Sequence, residues 1–443
     1  MGMCVMPRRI VGVLIAVMAL SACDSWLGEN KPPPLPGKRI SILAREKIAE
    51  PEISGPVGKI VLPPPEDNDD WPQAGGYSNH AMHHTVVADS LRQAWSSSIG
   101  DGSGKRRKLL AQPIMAEGKL FAVDSSSEVS AFDAGTGKRL WKVDITPKDT
   151  SDSYTSGGLA YEDGQVFVAT GFAQVVALDA RTGKIDWRQS VSGPMRGAPT
   201  VRGGRVFAVT VDNQTHALAA EDGSLLWTHS GISEVTGLLA GNSPAVDGNV
   251  VVVPYTSGEL FALKVENGGV IWQDSLITIR RTENVGALMD IRGRPVIDRG
   301  RVYAIGNGDL MVCLDLRTGR RLWEKEIGGV QSPWIGGDYL FLITNNNEVV
   351  ALEAKTGRIN WVTQMQSWQK PKDKEGRILW SGPVLASDRL IVGSSDGKLV
   401  SLSPYSGDML GWEEAPDGVS ISPIVANGTL YFLTDDADLV AYR

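Results

Sequence analysis

A motif that returns about every 45 residues constrains the fold of this 443-residue chain more than any other feature. The segment "EVSAFDAGTGKRLW" at 128–141 reappears as "QVVALDARTGKIDW" at 174–187. Five further copies, the last one looser, end at tryptophans: Trp227, Trp272, Trp323, Trp361 and Trp412. Repeats of this length are typical of the blades of a β-propeller.

Each repeat contains the signals of four strands. "Val-x-Ala-Leu" alternates with the period of a strand that buries one face. "Asp-Ala-x-Thr-Gly" is turn chemistry, in which a carboxylate bonds the backbone and glycine supplies a positive φ. The acidic residues of these turns therefore have a sufficient structural role: Asp133, Asp179, Asp315 and Glu353. A further hairpin lies upstream in each copy, such as 113–123 with Gly118 at its turn, so that one repeat makes one four-stranded blade.

The two ends of the repeat region complete each other. Residues 419–443 supply three strands of a repeat, and "LRQAWSSSIG" at 91–100 supplies a lone tryptophan strand. We therefore predict an all-β fold at 85–443, a single eight-bladed propeller of antiparallel blades, closed by pairing the N-terminal strand with the C-terminal blade. One tryptophan per blade should pack against the next blade: Trp95, Trp141, Trp187, Trp227, Trp272, Trp323, Trp361 and Trp412.

The N-terminus has the pattern of an exported lipoprotein. Arg8 and Arg9 precede an apolar run at 10–20 that is too short to span a bilayer. Leu20-Ser21-Ala22-Cys23 then resembles the bacterial lipobox. We predict that residues 1–22 are a signal peptide and that Cys23 carries acyl chains such as palmitate, which hold the protein on a membrane.

Residues 23–84 are predicted to be the lipidated N-terminus and a tether. Proline runs at 32–36 and 63–65 favour extended chain, so 24–70 reads as a spacer. Asp24 follows the lipidated cysteine and resembles an inner-membrane retention signal of some bacteria. An inner-membrane location is therefore one alternative from the sequence.

Charge and chemistry-bearing residues exclude several classes of function. The net charge of −7 becomes more negative when Arg8 and Arg9 leave, which argues against nucleic acid as a partner. Cys313 remains as the one cysteine of the body and reads as a buried apolar residue. The histidines at 80–84 lie in an irregular segment without cysteine partners, so no metal site is predicted. The basic run at 105–108 reads as a solvated loop.

Two connections between blades are long and do not follow the repeat. They are 230–244, between the third and fourth blades, and 277–295, between the fourth and fifth. Long loops on a rigid scaffold often carry function. From the residues of these loops, the candidate partner-binding residues are Leu238, Leu239, Arg281, Glu283, Leu288 and Asp290. The insertion at 367–380 is a further candidate.

The repeat "Ala-Leu-Asp-x-x-Thr-Gly-x-x-x-Trp" resembles that of quinoprotein dehydrogenases. In that family pyrroloquinoline quinone (PQQ) lies on the propeller axis, against a disulfide of adjacent cysteines and beside calcium. This chain has no adjacent cysteines and no Cys-x-x-Cys-His haem motif. We therefore predict no catalytic residues and no cofactor.

The combination of lipobox, a single propeller and no cofactor motif resembles the BamB family of the outer-membrane β-barrel assembly machinery. The likeness includes "WPQAGGYSNH" at 71–80, "SPAVDGNVVVVPYTSGELFAL" at 243–263 and the closing "LYFLTDDADLVAYR". It implies a non-catalytic scaffold that docks on the POTRA domains of BamA within the assembly complex and assists unfolded outer-membrane clients. The location that this role implies is the periplasmic face of the outer membrane, with the inner membrane as the alternative. The family's BamA contact lies in the two long connections, and the resemblance implies that its matching positions here are Leu239, Gly241, Asn242, Ser243, Leu288 and Asp290. There, Arg292 stands where an acidic residue is often found, and Ala240 where a basic one is.

Two alternatives remain from the sequence. One is a PQQ-dependent dehydrogenase-like enzyme, which quinone and calcium would activate. The other is a general periplasmic binding propeller for a glycan or another envelope protein, which would not retain BamA.

Overall fold

The computed structural model describes residues 49–51, 59–105, 107–150, 157–234, 241–277 and 290–443. Within these ranges it has 34 β-strands and no helix. The strands form eight four-stranded antiparallel sheets and one separate two-stranded hairpin. The predicted all-β, eight-bladed propeller is confirmed.

The chain begins its sheets with β1, which belongs to the last blade, and continues with blades 1 to 4 in order. Blade 1 is β2–β5, blade 2 is β6–β9, blade 3 is β10–β13 and blade 4 is β14–β17. Their bounds are β1 (Gln93–Ser98), β2 (Ile114–Ala116), β3 (Lys119–Val123), β4 (Glu128–Asp133), β5 (Arg139–Asp144), β6 (Gly158–Glu162), β7 (Gln165–Ala169), β8 (Gln174–Asp179), β9 (Ile185–Ser190), β10 (Thr200–Val201), β11 (Arg205–Val209), β12 (Gln214–Ala219), β13 (Leu225–Ser230), β14 (Ala245–Asp247), β15 (Val250–Pro254), β16 (Glu259–Lys264) and β17 (Val270–Ser275).

Blades 5 to 8 follow, with the separate hairpin between blades 6 and 7. Blade 5 is β18–β21, blade 6 is β22–β25, the hairpin is β26–β27, blade 7 is β28–β31, and blade 8 is β32–β34 with β1. Their bounds are β18 (Val296–Asp298), β19 (Arg301–Gly306), β20 (Leu310–Asp315), β21 (Arg321–Lys325), β22 (Trp334–Gly336), β23 (Tyr339–Ile343), β24 (Glu348–Glu353), β25 (Ile359–Gln364), β26 (Trp368–Lys370), β27 (Glu375–Arg377), β28 (Trp380–Ala386), β29 (Arg389–Ser394), β30 (Lys398–Leu402), β31 (Met409–Glu414), β32 (Ile424–Ala426), β33 (Thr429–Leu433) and β34 (Asp438–Tyr442).

Blade 8 is built from two distant parts of the chain. Strand β1 pairs antiparallel with β34, with Trp95 opposite Ala441 and Ser98 opposite Asp438. The ring is thus joined by backbone hydrogen bonds between its first and last strands.

The turn before each outermost strand is held by the repeated aspartate and threonine. In blade 1 the Asp133 carboxylate accepts from the Thr136 backbone N–H at 2.8 Å and from its hydroxyl at 2.7 Å. The hydroxyl bond is the main reason that the pKa of Asp133 is lowered. Asp179 and Asp315 make the same pair of bonds in blades 2 and 5. The acidic repeat residues are therefore explained by the turn itself.

The glycine of each turn is explained by the tryptophan of the preceding blade. Seven such glycines have φ between +71° and +77°. A Cβ on any of them would lie 2.5–2.8 Å from the neighbouring indole. The pairs are Trp95–Gly137, Trp141–Gly183, Trp187–Gly223, Trp227–Gly268, Trp272–Gly319, Trp323–Gly357 and Trp361–Gly407. Each of these indoles also donates Nε1–H to a backbone carbonyl of the next blade at 2.7–3.2 Å.

Trp412 differs from the other seven tryptophans. Its side chain is 50% exposed, whereas the structure gives the other seven an acceptor in the next blade. Trp412 belongs to blade 7, and in blade 8 the third and fourth strands come from opposite parts of the chain. No turn with its glycine and carbonyl joins them, so the expected docking of Trp412 does not form.

Residues 66–88, here called the axial belt, bond to the first strand of every blade. The bonds join Asn68 to blade 8, Trp71 to blade 1, Gln73 to blades 2 and 3, Ser78 to blade 4, Asn79 to blade 5, His83 to blade 6 and Thr85 to blade 7. The first strands of neighbouring blades also contact one another around the axis. Each has one edge without a neighbour in its own blade, so the belt satisfies backbone groups that would otherwise lack partners.

The belt moves the start of the folded body to an earlier residue than the sequence predicted. The expected boundary was 84/85, with a tether before it. In the structure Ile60 is 4% exposed, Trp71 is 1% exposed, and the Pro63 carbonyl bonds His84 Nδ1 at 2.8 Å. The described residues from 59 onward therefore belong with the propeller. The lipobox and Cys23 lie outside the described residues.

Antiparallel pairing gives the ring two different ends. Turns between first and second strands share one end, and connections between blades share the other, here called the connection end. The axial belt contacts the turns between first and second strands in three blades. Glu117 N–H donates to Asp70, Val87 N–H donates to the Ser387 hydroxyl, and Ala88 N–H donates to the Gly428 carbonyl. That end is here called the belt end, and it lies opposite the long connections.

Candidate partner-binding face

The predicted partner-binding residues divide into two groups. Gly241, Asn242, Ser243 and Asp290 are described and lie at the connection end, next to the first strands of blades 4 and 5. The remaining five lie outside the described residues: Leu238, Leu239, Arg281, Glu283 and Leu288. The structure therefore describes the stems of both long connections.

The stems of the two long connections touch. Gly241 has a φ of +117°, and a Cβ added to it would lie 2.8 Å from both Cγ and the carbonyl oxygen of Arg292. A Cβ on Gly197, in the preceding connection, would clash with the Gly241 carbonyl oxygen. Three successive connections thus pack closely here, and glycine is required for that approach.

Asp290 and Ser243 are more buried than loop residues poised for a partner would be. Asp290 is 2% exposed and Ser243 is 3% exposed. The Asp290 carbonyl accepts from the Asn307 N–H at 3.0 Å, which ties the stem to blade 5. The charge of Asp290 raises the pKa of Arg292, although burial lowers that pKa more. Asp290 is therefore part of the packed stem, and its role in partner binding stays a prediction.

The insertion at 367–380 forms the hairpin β26–β27 in the connection between blades 6 and 7. Lys370 Nζ lies 2.9 Å from Glu375 Oε2 across it, and both side chains are exposed. Ile378, just after the hairpin, is fully buried and anchors it to the ring. This is the one hairpin that the structure adds to the blades within the described ranges.

The histidines at 80–84 bind separate parts of the ring. His80 Nδ1 donates to the Pro295 carbonyl at 2.7 Å, and burial lowers the pKa of His80 to about 3. His83 Nε2 lies 3.3 Å from Asp298, and His84 Nε2 accepts from the Asp388 N–H at 2.9 Å. In the ranges that the structure describes, no three metal-ligating side chains come together.

Two further features concern the body as a whole. Cys313 is fully buried in β20, and burial raises the pKa of its thiol to about 12. A thiol in this environment is chemically inert, as the sequence indicated. In the described part of the chain, no helix has the length and apolar character needed to cross a bilayer.

Comparison with known proteins decides the family. A family model described as "Outer membrane protein assembly factor BamB" matches residues 125–363. The chain belongs to the BamB family. The Vibrio cholerae outer membrane protein assembly factor BamB is 36% identical over 349 residues, which cover 78% of this chain and 86% of that protein. The Yersinia pestis BamB is 28% identical over 80% of this chain and 89% of its own length.

Solved structures share the fold. The crystal structure of BamB from Moraxella catarrhalis has a TM-score of 0.69 at 19% identity and covers 80% of this chain and all of that one. The quinohemoprotein alcohol dehydrogenase from Comamonas testosteroni has a TM-score of 0.67 at 15% identity, over 84% and 80% of the two chains. A model of the glucose/ethanol/alcohol dehydrogenase propeller domain also matches residues 325–412. The propeller repeat is thus common to BamB proteins and quinoproteins.

Proposed function

We propose that the protein is a non-enzymatic subunit of outer-membrane protein assembly, held on the periplasmic face of the outer membrane by lipid on Cys23. Membership of the BamB family supports the assembly role. The lipobox at 20–23 supports the anchor. In this proposal the propeller docks on the POTRA domains of BamA and helps unfolded barrel proteins to reach the assembly complex.

One structural observation carries the choice of docking face. The axial belt occupies the belt end, while the stems of both long connections meet at the connection end through Gly241 and Arg292. The belt reaches the connection end at the turn around Gly75, which contacts Arg294, so in this proposal the partner docks on the long connections beyond that turn. We propose that Leu238, Leu239, Arg281, Glu283 and Leu288 form its contact surface, and that Gly241–Ser243 and Asp290 hold these loops in place from below.

The residues that precede the axial belt also lie at the belt end. The described chain enters the ring at the belt end, where a Cβ on Gly337 would lie 2.6 Å from Pro63. Residues 23–58 then act as the spacer between membrane and ring in this proposal.

The dehydrogenase alternative has the repeat in its favour, since the quinoprotein propeller model matches part of the chain. Against it, the axial belt lies on the propeller axis, where Trp71 is 1% exposed and Gln73 is 5% exposed. An axial cofactor would have to share this space. Adding PQQ and calcium to the purified protein separates the two proposals, because only the enzyme would gain alcohol-dependent dye reduction.

Purification of the protein from its own envelope under native conditions tests the proposed function directly. Recovery of BamA in stoichiometric amount supports docking on the assembly machinery. Recovery of a glycan or a different envelope protein instead of BamA would favour the general binding propeller.

A further inference from the structure

The residues just before the innermost strands form a second repeat around the axis. In six blades this strand follows an X-Pro pair, and in blade 7 the pair lies within β28. The X residues are Gln112, Ala198, Ser243, Arg294, Ser332, Gly382 and Ser422. Five of the seven are small. Arg294 is the one cation of the set.

Arg294 lies over the tip of the axial belt. A Cβ on Gly75, in the tight turn of the belt, would lie 3.0 Å from Arg294 Nε and 3.0 Å from His80 Cδ2. The Arg294 backbone N–H donates to the Ser332 hydroxyl at 2.9 Å, which fixes the stem to blade 6. Arg294 Nε is buried and has no hydrogen-bond partner among the described residues. A buried donor without a partner costs free energy, so this position favours an acceptor.

Arg292 is the second cation at this position. It lies against Gly241 at the connection end, and Asp290 is the carboxylate whose charge acts on it. Burial lowers the pKa of Arg294 to about 10, with the positive charge of the neighbouring Arg292 acting in the same direction. Asp290 is thus a charged neighbour of Arg292, whereas the charged neighbour of Arg294 is a second cation.

His80 does not balance the charge. Its Nδ1 donates to the Pro295 carbonyl, so Nε2 is an acceptor in the neutral ring. Burial and Arg294 together hold the pKa of His80 at about 3, and the ring stays neutral. Nearby cations in an enclosed site are stabilised by an anion that bonds both. Arg292 and Arg294 both retain intermediate exposure to solvent, so an anion can reach them.

We infer that Arg292 and Arg294 form an anion site on the propeller axis that binds a carboxylate, with the axial belt as its floor and the connection end as its entrance. Guanidinium groups bind carboxylates with paired, charge-assisted hydrogen bonds, which suits this pair of arginines. The carboxylate comes from a small organic acid or from an acidic side chain of a protein docked over the connection end. The inference does not depend on BamA being that protein.

Calorimetric titration of the purified full chain in detergent tests the site, with malonate as the probe at constant ionic strength. Malonate should bind the wild type and Arg317→Gln, whose side chain is exposed on a turn of the same blade. Arg294→Gln should bind at least tenfold more weakly. Arg292→Gln is the second variant, with the same expected loss, should Arg294→Gln not fold.

A second titration separates the two sources of the carboxylate. A blocked Gly-Glu-Gly peptide is compared with its glutamine counterpart. Binding of the glutamate peptide with no binding of malonate assigns the site to a side chain, and binding of malonate alone assigns it to a small acid. The inference is overturned when neither probe binds. That result is expected if a water molecule alone bridges Arg294 Nε and His80 Nε2. Equal binding to wild type and both axial variants overturns it too.

Discussion

Trp187 of blade 2 lies directly on Gly223 of blade 3. A Cβ on Gly223 would approach the indole Cε3 to 2.6 Å, and the indole Nε1–H donates to the Ala220 carbonyl at 2.9 Å. Phe167 packs on the indole within blade 2, with ring centroids 5.9 Å apart. The tryptophan is therefore held by its own blade and by the next one.

Trp187→Ala should destabilise the whole ring, by about 3–5 kcal/mol, because it leaves a cavity and an unbonded carbonyl between two blades. Trp412→Ala is the matched control, since this exposed indole belongs to the same repeat but has no turn of a next blade to dock on. Urea unfolding followed by tryptophan fluorescence measures both. Equal losses of stability would contradict the proposed packing between blades.

Deletion of the axial belt should lower the melting temperature strongly. A chain that begins at residue 59 keeps the belt and should melt as the mature protein does. A chain that begins at residue 85 loses the bonds that Gln73 makes to Val201, at 2.6 and 2.9 Å, and those of Trp71 to Met115. Circular dichroism on heating compares the two. Identical melting would restore the boundary at 84/85 and show the belt to be dispensable.

Asp290→Ala should destabilise the protein by about 1–3 kcal/mol, because it removes a buried carboxylate and leaves Arg292 without its charge. Asp338→Ala, on an exposed turn, is the control and should change stability little. The BamA binding of Asp290→Ala should therefore be compared with that of the wild type at a temperature below the melting temperature of the variant. Unchanged melting of Asp290→Ala would show that its charge is not needed for the stem.

The neutral state of His80 makes stability depend on pH. Its pKa is about 3 in the fold, against 6.5 for an unperturbed histidine, so the unfolded chain binds more protons between these values. Stability should therefore fall as the pH drops from 6.5 towards 5, with about 1.4 kcal/mol per pH unit as the limit for one proton. His216 and His229 have lowered pKa values and add slope in the same direction.

Replacement of His80 by asparagine should reduce that slope, as measured by urea unfolding at pH 6.5 and pH 5. His83→Asn is the control, because His83 lies at the surface side of the same segment and is 39% exposed. An unaltered slope in His80→Asn would mean that His80 is not buried as a neutral ring.

Cys23→Ser should release the folded body into the soluble periplasm, because lipid on Cys23 is the proposed anchor. Fractionation in a strain without BamA, after a carbonate wash, measures the release. Wild-type chain stays with the membrane pellet in the same strain. Retention of the variant would show that a different part of the chain holds the membrane.

The repeats of the sequence determine the ring, and for this reason the fold was predictable. The same repeated residues specify both the local structure and the packing between blades. This holds for the alternating strands, the Asp-x-x-Thr-Gly turns and the tryptophans, as the contact of Trp187 with Gly223 shows. The prediction that each tryptophan packs on the next blade failed at Trp412. The repeat that contains Trp412 gives no sign that blade 8 lacks the turn on which it would pack. The missing turn can be found only by noting that blade 8 takes its strands from two distant parts of the chain.

The axial belt was not predictable from periodicity. Its bonds are mostly to backbone groups, so residues such as Gln73 and Ser78 follow no apolar pattern, and the prolines at 63–65 suggested a tether. Trp71 and the Gly75-Gly76 turn were the available signals for packing. The candidate site was predicted by connection length and family resemblance, which locate loops but not the burial of Asp290.

The most direct test of the proposed docking face is the affinity of the purified protein for the POTRA domains of BamA, measured for two glutamate variants. Leu239→Glu places a charge in the proposed contact and should weaken binding by about 2 kcal/mol or more, which is roughly thirtyfold. Val61→Glu changes an apolar side chain that is 70% exposed at the belt end, and should bind as the wild type does. Wild-type affinity in Leu239→Glu, or a greater loss in Val61→Glu, would contradict docking through the connection end.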